Sequence, residues 1–410
     1  MGQSLMNARG RSFSWQVLRW MSWRTTPGHH GGIVSHENAI AMAWGSLIGL
    51  ILSAWTLSTT TMATEFAQAD TPREFTFPRD HASHPEFKTE WWYITGVLET
   101  AEGELFGYQA TWFRSGLKPE IEPRASQLGT RDLFFFHGAL TDVSARRFQF
   151  DQAVSRGAST WAGADVDQLR VSLLQNTLTM QNDGTWRLRF EMDGHAVDLT
   201  LAPERPALLH GEEAGLSQKG PICGQASYYY SQTRMRTLGT ISRRKDNRKI
   251  EVSGHSWFDH EFGSNQLGKD QVGWDWFSVP LDDGSDLMLY LLRKKDGSVE
   301  NTSSGTFRDG AGNRVHLERA DFSIDVLDHW TSTESGGRYP AAWRLRVPRL
   351  GIDLEVRPVL PDQELHTAGT PGVTYWEGLC EFRGQCNGKT VLGRGYVELV
   401  GYAGEFLGRI

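Results

Sequence analysis

At 410 residues the chain is longer than one small hydrophobic core usually serves, and two domains are expected after any targeting segment. Hydrophobic residues at 39% and charged residues at 22% describe a folded, soluble body and exclude a disordered chain, a collagen or a polytopic membrane protein. A net charge of -7 provides no excess of Lys and Arg for phosphate contacts, which excludes a nucleic-acid partner.

Residues 1–69 read as an export segment. Arg9, Arg11, Arg19 and Arg24 precede an uncharged stretch over residues 39–64, followed by the small-residue site Ala67-Gln68-Ala69. The apolar centre, residues 39–57, is also just long enough to span a bilayer, so the segment is either a cleaved signal peptide or an uncleaved inner-membrane anchor. Either way the basic flank stays inside and the body is expected in the periplasm or another extracytoplasmic space.

From about Thr71 the pattern is β. With 16 Trp, 10 Tyr, 20 Phe and 44 Gly, the composition favours strands joined by tight turns. Trp186, Leu188, Phe190 and Met192 alternate with Arg187, Arg189 and Glu191, the period-two signature of a half-buried strand. Asp-Gly pairs at 183–184, 193–194, 283–284, 296–297 and 309–310 sit between such runs as hairpin turns. No long stretch carries helical spacing, which argues against parallel sheets with crossover helices. An internal repeat sets Trp91-Trp92-Tyr93, Leu98 and Tyr108 against Trp274-Asp275-Trp276, Leu281 and Tyr290, and less strongly Gly254-His255-Ser256-Trp257 against Gly395-Tyr396-Val397-Glu398. The expected plan is all-β, with antiparallel barrels over residues 70–266 and 267–410. In that alignment His255, Trp257 and Asp259 match Tyr396, Glu398 and Val400, so the site is expected in the first domain and at the junction, with the second as support.

The densest polar cluster runs from Val252 to Gly263. On an extended strand His255, Trp257, Asp259 and Glu261 share one face, and Ser256, Phe258, His260 and Phe262 the other. Turned into an aromatic cavity, the first face would give Asp259 a raised pKa, through desolvation and the charge of Glu261, and make it a general acid. The bland alternative is a set of charged residues closing a barrel. Glu90, beside Trp91, Trp92 and Tyr93, either orients a substrate or accepts bonds from the indoles. His137, in the apolar run Phe134-Phe135-Phe136, reads more readily as a satisfied core residue than as a catalyst. No zinc spacing, Gly-x-Ser-x-Gly elbow or phosphate-binding loop occurs, so no metal, serine triad or nucleotide cofactor is expected. Cys380 and Cys386 either close a short disulfide or, with Cys223, remain buried thiols.

The segments His84-Pro85-Glu86-Phe87-Lys88-Thr89-Glu90-Trp91-Trp92-Tyr93, Phe136-His137-Gly138-Ala139, Tyr229-Tyr230-Ser231-Gln232, Trp257-Phe258-Asp259-His260-Glu261 and Gly273-Trp274-Asp275-Trp276 resemble the AttH/CrtC family, over roughly residues 81–402. Its CrtC branch contains carotenoid 1,2-hydratase, also called hydroxyneurosporene synthase. The resemblance implies two lipocalin-like (calycin) antiparallel β-barrels. In the hydratase branch a carboxylic acid in an Asp-His-Asn segment protonates a terminal carbon–carbon double bond, and water captures the cation; that acid maps onto Asp259. His255 or Glu261 would then orient the acid or position water, while Glu90, Trp91, Trp92, Tyr93, His137, Trp257 and Tyr229 line the pocket. Glu261 in place of the Asn, together with Trp257, makes the chain more similar to the AttH branch of exported proteins, described as predicted secreted hydrolases and associated with an ABC-type export system. The expected function is binding of a hydrophobic, lipid- or isoprenoid-like ligand with acid–base chemistry of hydratase or hydrolase type. The alternative is a non-enzymatic lipid-binding accessory of an ABC-type transporter.

Overall fold

A computed structural model describes residues 65–119, 129–158, 160–367, 369–370 and 373–404. The basic flank and apolar stretch of the export segment lie outside the described residues, as does everything before Glu65.

The fold is almost wholly antiparallel β, organised as two barrel-like, lipocalin-like sheets. Eight strands frame the site. In the first sheet they are β1 (Thr89–Glu99), β2 (Leu105–Gly116), β3 (Ala226–Arg243) and β4 (Arg248–Gly263). In the second they are β5 (Gln271–Pro280), β6 (Asp286–Lys294), β7 (Thr374–Cys386) and β8 (Lys389–Val400). The central order is β2-β1-β4-β3 in one sheet and β6-β5-β8-β7 in the other. The two opening hairpins therefore hold equivalent places, each pairing with the last strand of its own sheet. Asp283-Gly284 makes the turn between β5 and β6, with Gly284 at φ +86°, a left-handed conformation that costs glycine little.

Period-two alternation decides what each strand buries. On β1, Trp92, Ile94 and Leu98 point into the first barrel's core beside Tyr108, Trp112 and Phe136, while Tyr93 points the other way. The second barrel has its own core around Phe277, Trp343, Leu354 and Phe382. Between the sheets lies a third cluster in which Tyr93, Tyr229 and Trp257 meet Trp276, Tyr290, Leu379 and Tyr396. Close approach there requires Gly107: a Cβ at that position would lie 2.5 Å from the Tyr396 hydroxyl.

Two expectations need correction. Cys380 and Cys386 lie on one strand, six residues and so roughly 20 Å apart, too far for a disulfide; both are buried and free, whereas Cys223 is exposed. The register of the repeat also differs. Tyr93 stands opposite Asp259 on β4, and Trp276, its counterpart in the second hairpin, stands opposite Glu398 on β8. Pairing thus aligns Asp259 with Glu398 rather than Val400, a slip of two residues that leaves face parity intact and is invisible to a pattern of alternation.

Candidate functional site

Asp259 lies on the wall of a cavity of about 280 Å³ between the two sheets. The first sheet contributes Trp91, Tyr93, Phe113, Tyr229, Asp259 and Glu261; the second contributes Trp274, Trp276, Tyr290, Leu292 and Glu398. As alternation requires, β4 sends Asp259 and Glu261 toward this cavity and Phe258, His260 and Phe262 into the packed interior of its own barrel side.

Three donors converge on the Asp259 carboxyl. Trp257 Nε1 donates to Oδ1 at 2.6 Å, Tyr229 Oη to Oδ2 at 2.6 Å, and Ser231 Oγ, directly across the β3–β4 ladder, to Oδ1. Burial outweighs these bonds and, with the charge of Glu261, pushes the carboxyl up to about 7. Behind Ser231 stands His210, with Nε2 2.6 Å from Ser231 Oγ and Nδ1 2.9 Å from Thr306 Oγ1. Burial, aided by Lys219 and nearby arginines, holds His210 well below the usual imidazole value, so it is neutral. With the His210 proton on Nδ1, donated to Thr306 Oγ1, Nε2 is bare; when Asp259 carries a proton, Ser231 can then turn its hydrogen toward Nε2 and free a lone pair for the acid.

A buried ammonium completes this side. Lys219 Nζ lies 3.2 Å from Glu261 Oε1 and over the rings of Tyr290 (4.0 Å) and Tyr229 (4.9 Å). Burial opposes its charge, but Glu261, Tyr290 and Asp259 outweigh burial and raise its pKa. Ser227 Oγ adds a bond to Glu261 at 2.5 Å.

On the facing wall Glu398 accepts a bond from Trp274 Nε1 at 2.8 Å. Burial, with the charges of Asp259 and Glu261, pushes it up to about 7. Its cross-strand neighbour is Glu377, which is fully buried. Tyr93 Oη donates to Glu377 Oε1 at 2.7 Å, while Oε2 has no hydrogen-bond partner among the described residues. Burial and Glu398 raise Glu377 well above the carboxylate range, so Glu377 keeps its proton and a like-charge clash with Glu398 is avoided. The sheets also exchange bonds: Tyr93 of the first serves Glu377 of the second, and Trp276 Nε1 of the second donates to Tyr229 Oη of the first at 2.9 Å.

Of the residues expected at a site, Asp259, Glu261, Trp91, Tyr93 and Tyr229 share this cavity, and Trp257 holds the acid. The others are elsewhere. Glu90 and Trp92 have the opposite parity on β1 and face inward. Glu90 accepts bonds from Ser83 Oγ (2.7 Å), Arg114 Nε (3.0 Å) and the His84 backbone N–H (2.9 Å), and contacts His84 Nδ1 and His260 Nε2 at 3.0 Å each. Burial would raise its pKa, but Arg114 and the two histidines hold it well below the ordinary value. His84, Glu90 and His260 are close enough together to ligate a cation, yet Arg114 already supplies the positive charge there. Trp92 donates to the His81 carbonyl at 3.1 Å and stacks on His260. These residues fasten the segment at 79–90 to the barrel and do not touch the cavity.

His255 shares the parity of Asp259 but is exposed, 3.6 Å from Glu204 and in a separate groove at the other end of the interface. It is four residues, or roughly 13 Å, from Asp259 along an extended strand and cannot orient that acid. His137 sits in a small neighbouring pocket with its nitrogens 2.9 Å from Tyr375 Oη and Thr370 Oγ1; burial pushes it down to about 3, so it is a satisfied neutral residue. Lys219, Ser231, His210, Glu377 and Glu398 belong to the site although the sequence reading did not assign them. The one available signal was a carboxylate set among aromatic and apolar neighbours, Glu377 after Tyr375-Trp376 and Glu398 between Val397 and Leu399.

An AttH-like family model matches residues 68–402. The chain belongs to the AttH-like family. An AttH assignment from Nitrosomonas europaea has a crystal structure 34% identical to this chain, with a TM-score of 0.74 over 82% of this chain and 100% of that one. Kievitone hydratase from Nectria haematococca is 17% identical, with a TM-score of 0.62 over 83% of this chain and 97% of that one. CghA bound to Sch210972 is 14% identical, with a TM-score of 0.50 over 83% of this chain and 98% of that one; these two likenesses show the fold. Among curated proteins no sequence match was found.

Proposed function

We propose that this AttH-like protein binds a hydrophobic, lipid- or isoprenoid-like ligand between its barrels and adds water to a carbon–carbon double bond in it, outside the inner membrane. The observation that carries the reading is Asp259: a buried carboxyl, raised to about 7, on the wall of an aromatic cavity. The hydratase among the structural neighbours adds a fold known to accommodate such chemistry.

In this reading the Asp259 O–H delivers its proton to one alkene carbon while the π pair forms the new C–H bond. Positive charge develops on the adjacent carbon, against the faces of Trp91, Tyr93 and Trp276. Water supplies the electron pair of the new C–O bond and passes its proton to Glu398, and return of a proton to Asp259 through solvent closes the cycle. Lys219 keeps Glu261 paired, so that a second bare charge does not confront the cation. The aromatic walls alone would also suit a lipid carrier for an ABC-type transporter, which needs no titration of Asp259. The two readings separate in one experiment. Protein purified from its own membranes is analysed for bound lipid, then incubated with that lipid in heavy-oxygen water. Incorporation of the label by the native chain, with retention of ligand but loss of incorporation in Asp259→Asn, is the expected result. Equal results for both proteins, with lipid retained and no label, would establish the carrier.

A further inference from the structure

Residues 66–68 form a strap held beside the cavity-lining residues Lys88 and Ser264. The Phe66 ring covers Gly116, where a Cβ would come within 2.8 Å of it. The Ala67 N–H donates to the Glu86 carbonyl at 3.0 Å, and its own carbonyl accepts from Ser264 Oγ at 2.5 Å. Ser264 Oγ in turn accepts from the Lys88 N–H at 3.0 Å, and both Lys88 and Ser264 line the cavity. On the other side Gln68 packs against Gly224. Two large apolar side chains beside this strap are exposed. Leu117, next to Gly116, is 49% exposed, and Ile222, two residues from Gly224, is 63% exposed. Lys88 on the cavity wall, Lys118 next to Leu117, and Lys269 two residues from the wall residue Leu267 are exposed, as are Glu65, Asp70 and Asp270.

We propose that this rim docks on a lipid bilayer, with Leu117 and Ile222 inserted at the headgroup–acyl boundary, so that the cavity opens onto the membrane and takes its apolar ligand from it. The proposal rests on the apolar-ligand reading above and adds the source. The uncharged apolar stretch at residues 39–57 is separated from Phe66 by only residues 58–65. Eight residues span at most roughly 28 Å when fully extended. A chain held in a bilayer by that stretch therefore keeps this rim near the surface. An exposed leucine next to a lysine, and an exposed isoleucine across the strap from it, suit that boundary, where alkyl groups leave water and ammonium groups meet headgroup phosphates. A ligand too apolar to cross water then needs only to move sideways into the cleft.

Cys223, beside Ile222, is exposed while Cys380 and Cys386 are buried, so it takes a single label. The test places an environment-sensitive fluorophore on Cys223 in the full chain, reconstituted in phosphatidylcholine–phosphatidylglycerol vesicles containing spin-labelled lipid. The control carries the label on Lys245→Cys in a Cys223→Ser background; Lys245 is exposed in the β3–β4 turn, at the far end of those strands. The expected result is several-fold stronger quenching at 223 than at 245, falling to the level at 245 in the Leu117→Asp, Ile222→Asp double variant while the protein still floats with the vesicles. Equal quenching at both positions overturns the proposal, as does failure to float. Shielding of Cys223 from aqueous iodide without lipid quenching also overturns it, in favour of a protein partner. Lipid extracted from the purified chain reports separately: bound lipid without quenching at 223 defeats docking alone, and quenching without any bound lipid defeats the ligand reading alone.

Discussion

Asp259 and Glu398 occupy equivalent places in two sheets of one plan, each opposite an aromatic residue of the opening hairpin, yet their neighbours differ in kind. Across the ladder from Asp259 stands Ser231, a hydroxyl able to donate or accept; across from Glu398 stands Glu377, a second acid. Asp259 thus faces a hydroxyl that can donate to its ionised form or accept from its protonated form, whereas Glu398 stands beside a second buried acid that keeps its own proton. Duplication preserved the backbone and the parity of the strands, while the cross-strand partner assigned each carboxyl its task. The largest effect should follow from removing the acid. Asp259→Asn keeps shape and loses the proton, so label incorporation from heavy-oxygen water is expected to fall about 10²- to 10⁴-fold with little change in bound ligand. Glu398→Gln, which removes only the acceptor of water's proton, should lose less, about tenfold to a hundredfold. A larger loss at Glu398 than at Asp259 would reverse the two roles.

The same contrast has a pH signature. Activity that needs protonated Asp259 should decline as pH rises through about 7. Glu261 is one cause of that raised value, and its removal also leaves the Lys219 charge unpaired. Both changes favour ionised Asp259, so Glu261→Gln should move the alkaline limb of the pH–rate profile to lower pH. Stability follows a related rule. A carboxyl raised in the folded state contributes stability that is fully present below its unfolded pKa and lost as pH rises through its folded value. For Asp259 that window runs from 3.8 to about 7, and for Glu398 from 4.5 to about 7. Three units at about 1.4 kcal/mol each make roughly 4 kcal/mol for Asp259. Denaturation of Asp259→Asn across pH 4 to 8 should therefore show a flatter profile than the native chain and greater stability at pH 8. Glu90 has the opposite sign: its contribution is present above the ordinary carboxylate range and is lost only as pH falls through its depressed value.

Strand periodicity made the architecture and one wall of the site legible. Placing Trp257, Asp259 and Glu261 together needs only alternation along β4, and the Trp-rich opening hairpins were readable as a repeat. Alternation could not supply partners across ladders. Ser231 meets Asp259 from 28 residues away, Tyr93 meets Glu377 across 284, and Lys219 reaches Glu261 from a loop with no periodic signal. Nor does period two count from a fixed origin. The repeat could be aligned two residues out without any side chain changing face, and that slip concealed the equivalence of Asp259 and Glu398.

His255 gives the smallest effect and the clearest measure of what parity means. It points to the same side of β4 as Asp259, but face parity fixes direction and leaves open how closely the neighbouring sheet packs. At Asp259 that sheet supplies Trp276, Glu398 and the bonded Trp276–Tyr229 pair; four residues earlier the two sheets border a groove in which His255 lies 3.6 Å from Glu204 with its imidazole exposed. An exposed histidine 3.6 Å from one half-exposed carboxylate contributes little to stability and nothing to the cavity's electrostatics. His255→Ala is expected to leave turnover, bound ligand and the alkaline limb unchanged, and to shift stability by less than about 0.5 kcal/mol. A tenfold loss of turnover in that variant, with denaturation unchanged, would mean that the groove holding His255 communicates with Asp259 in the working protein, and the assignment of the site to one end of the interface would have to be withdrawn.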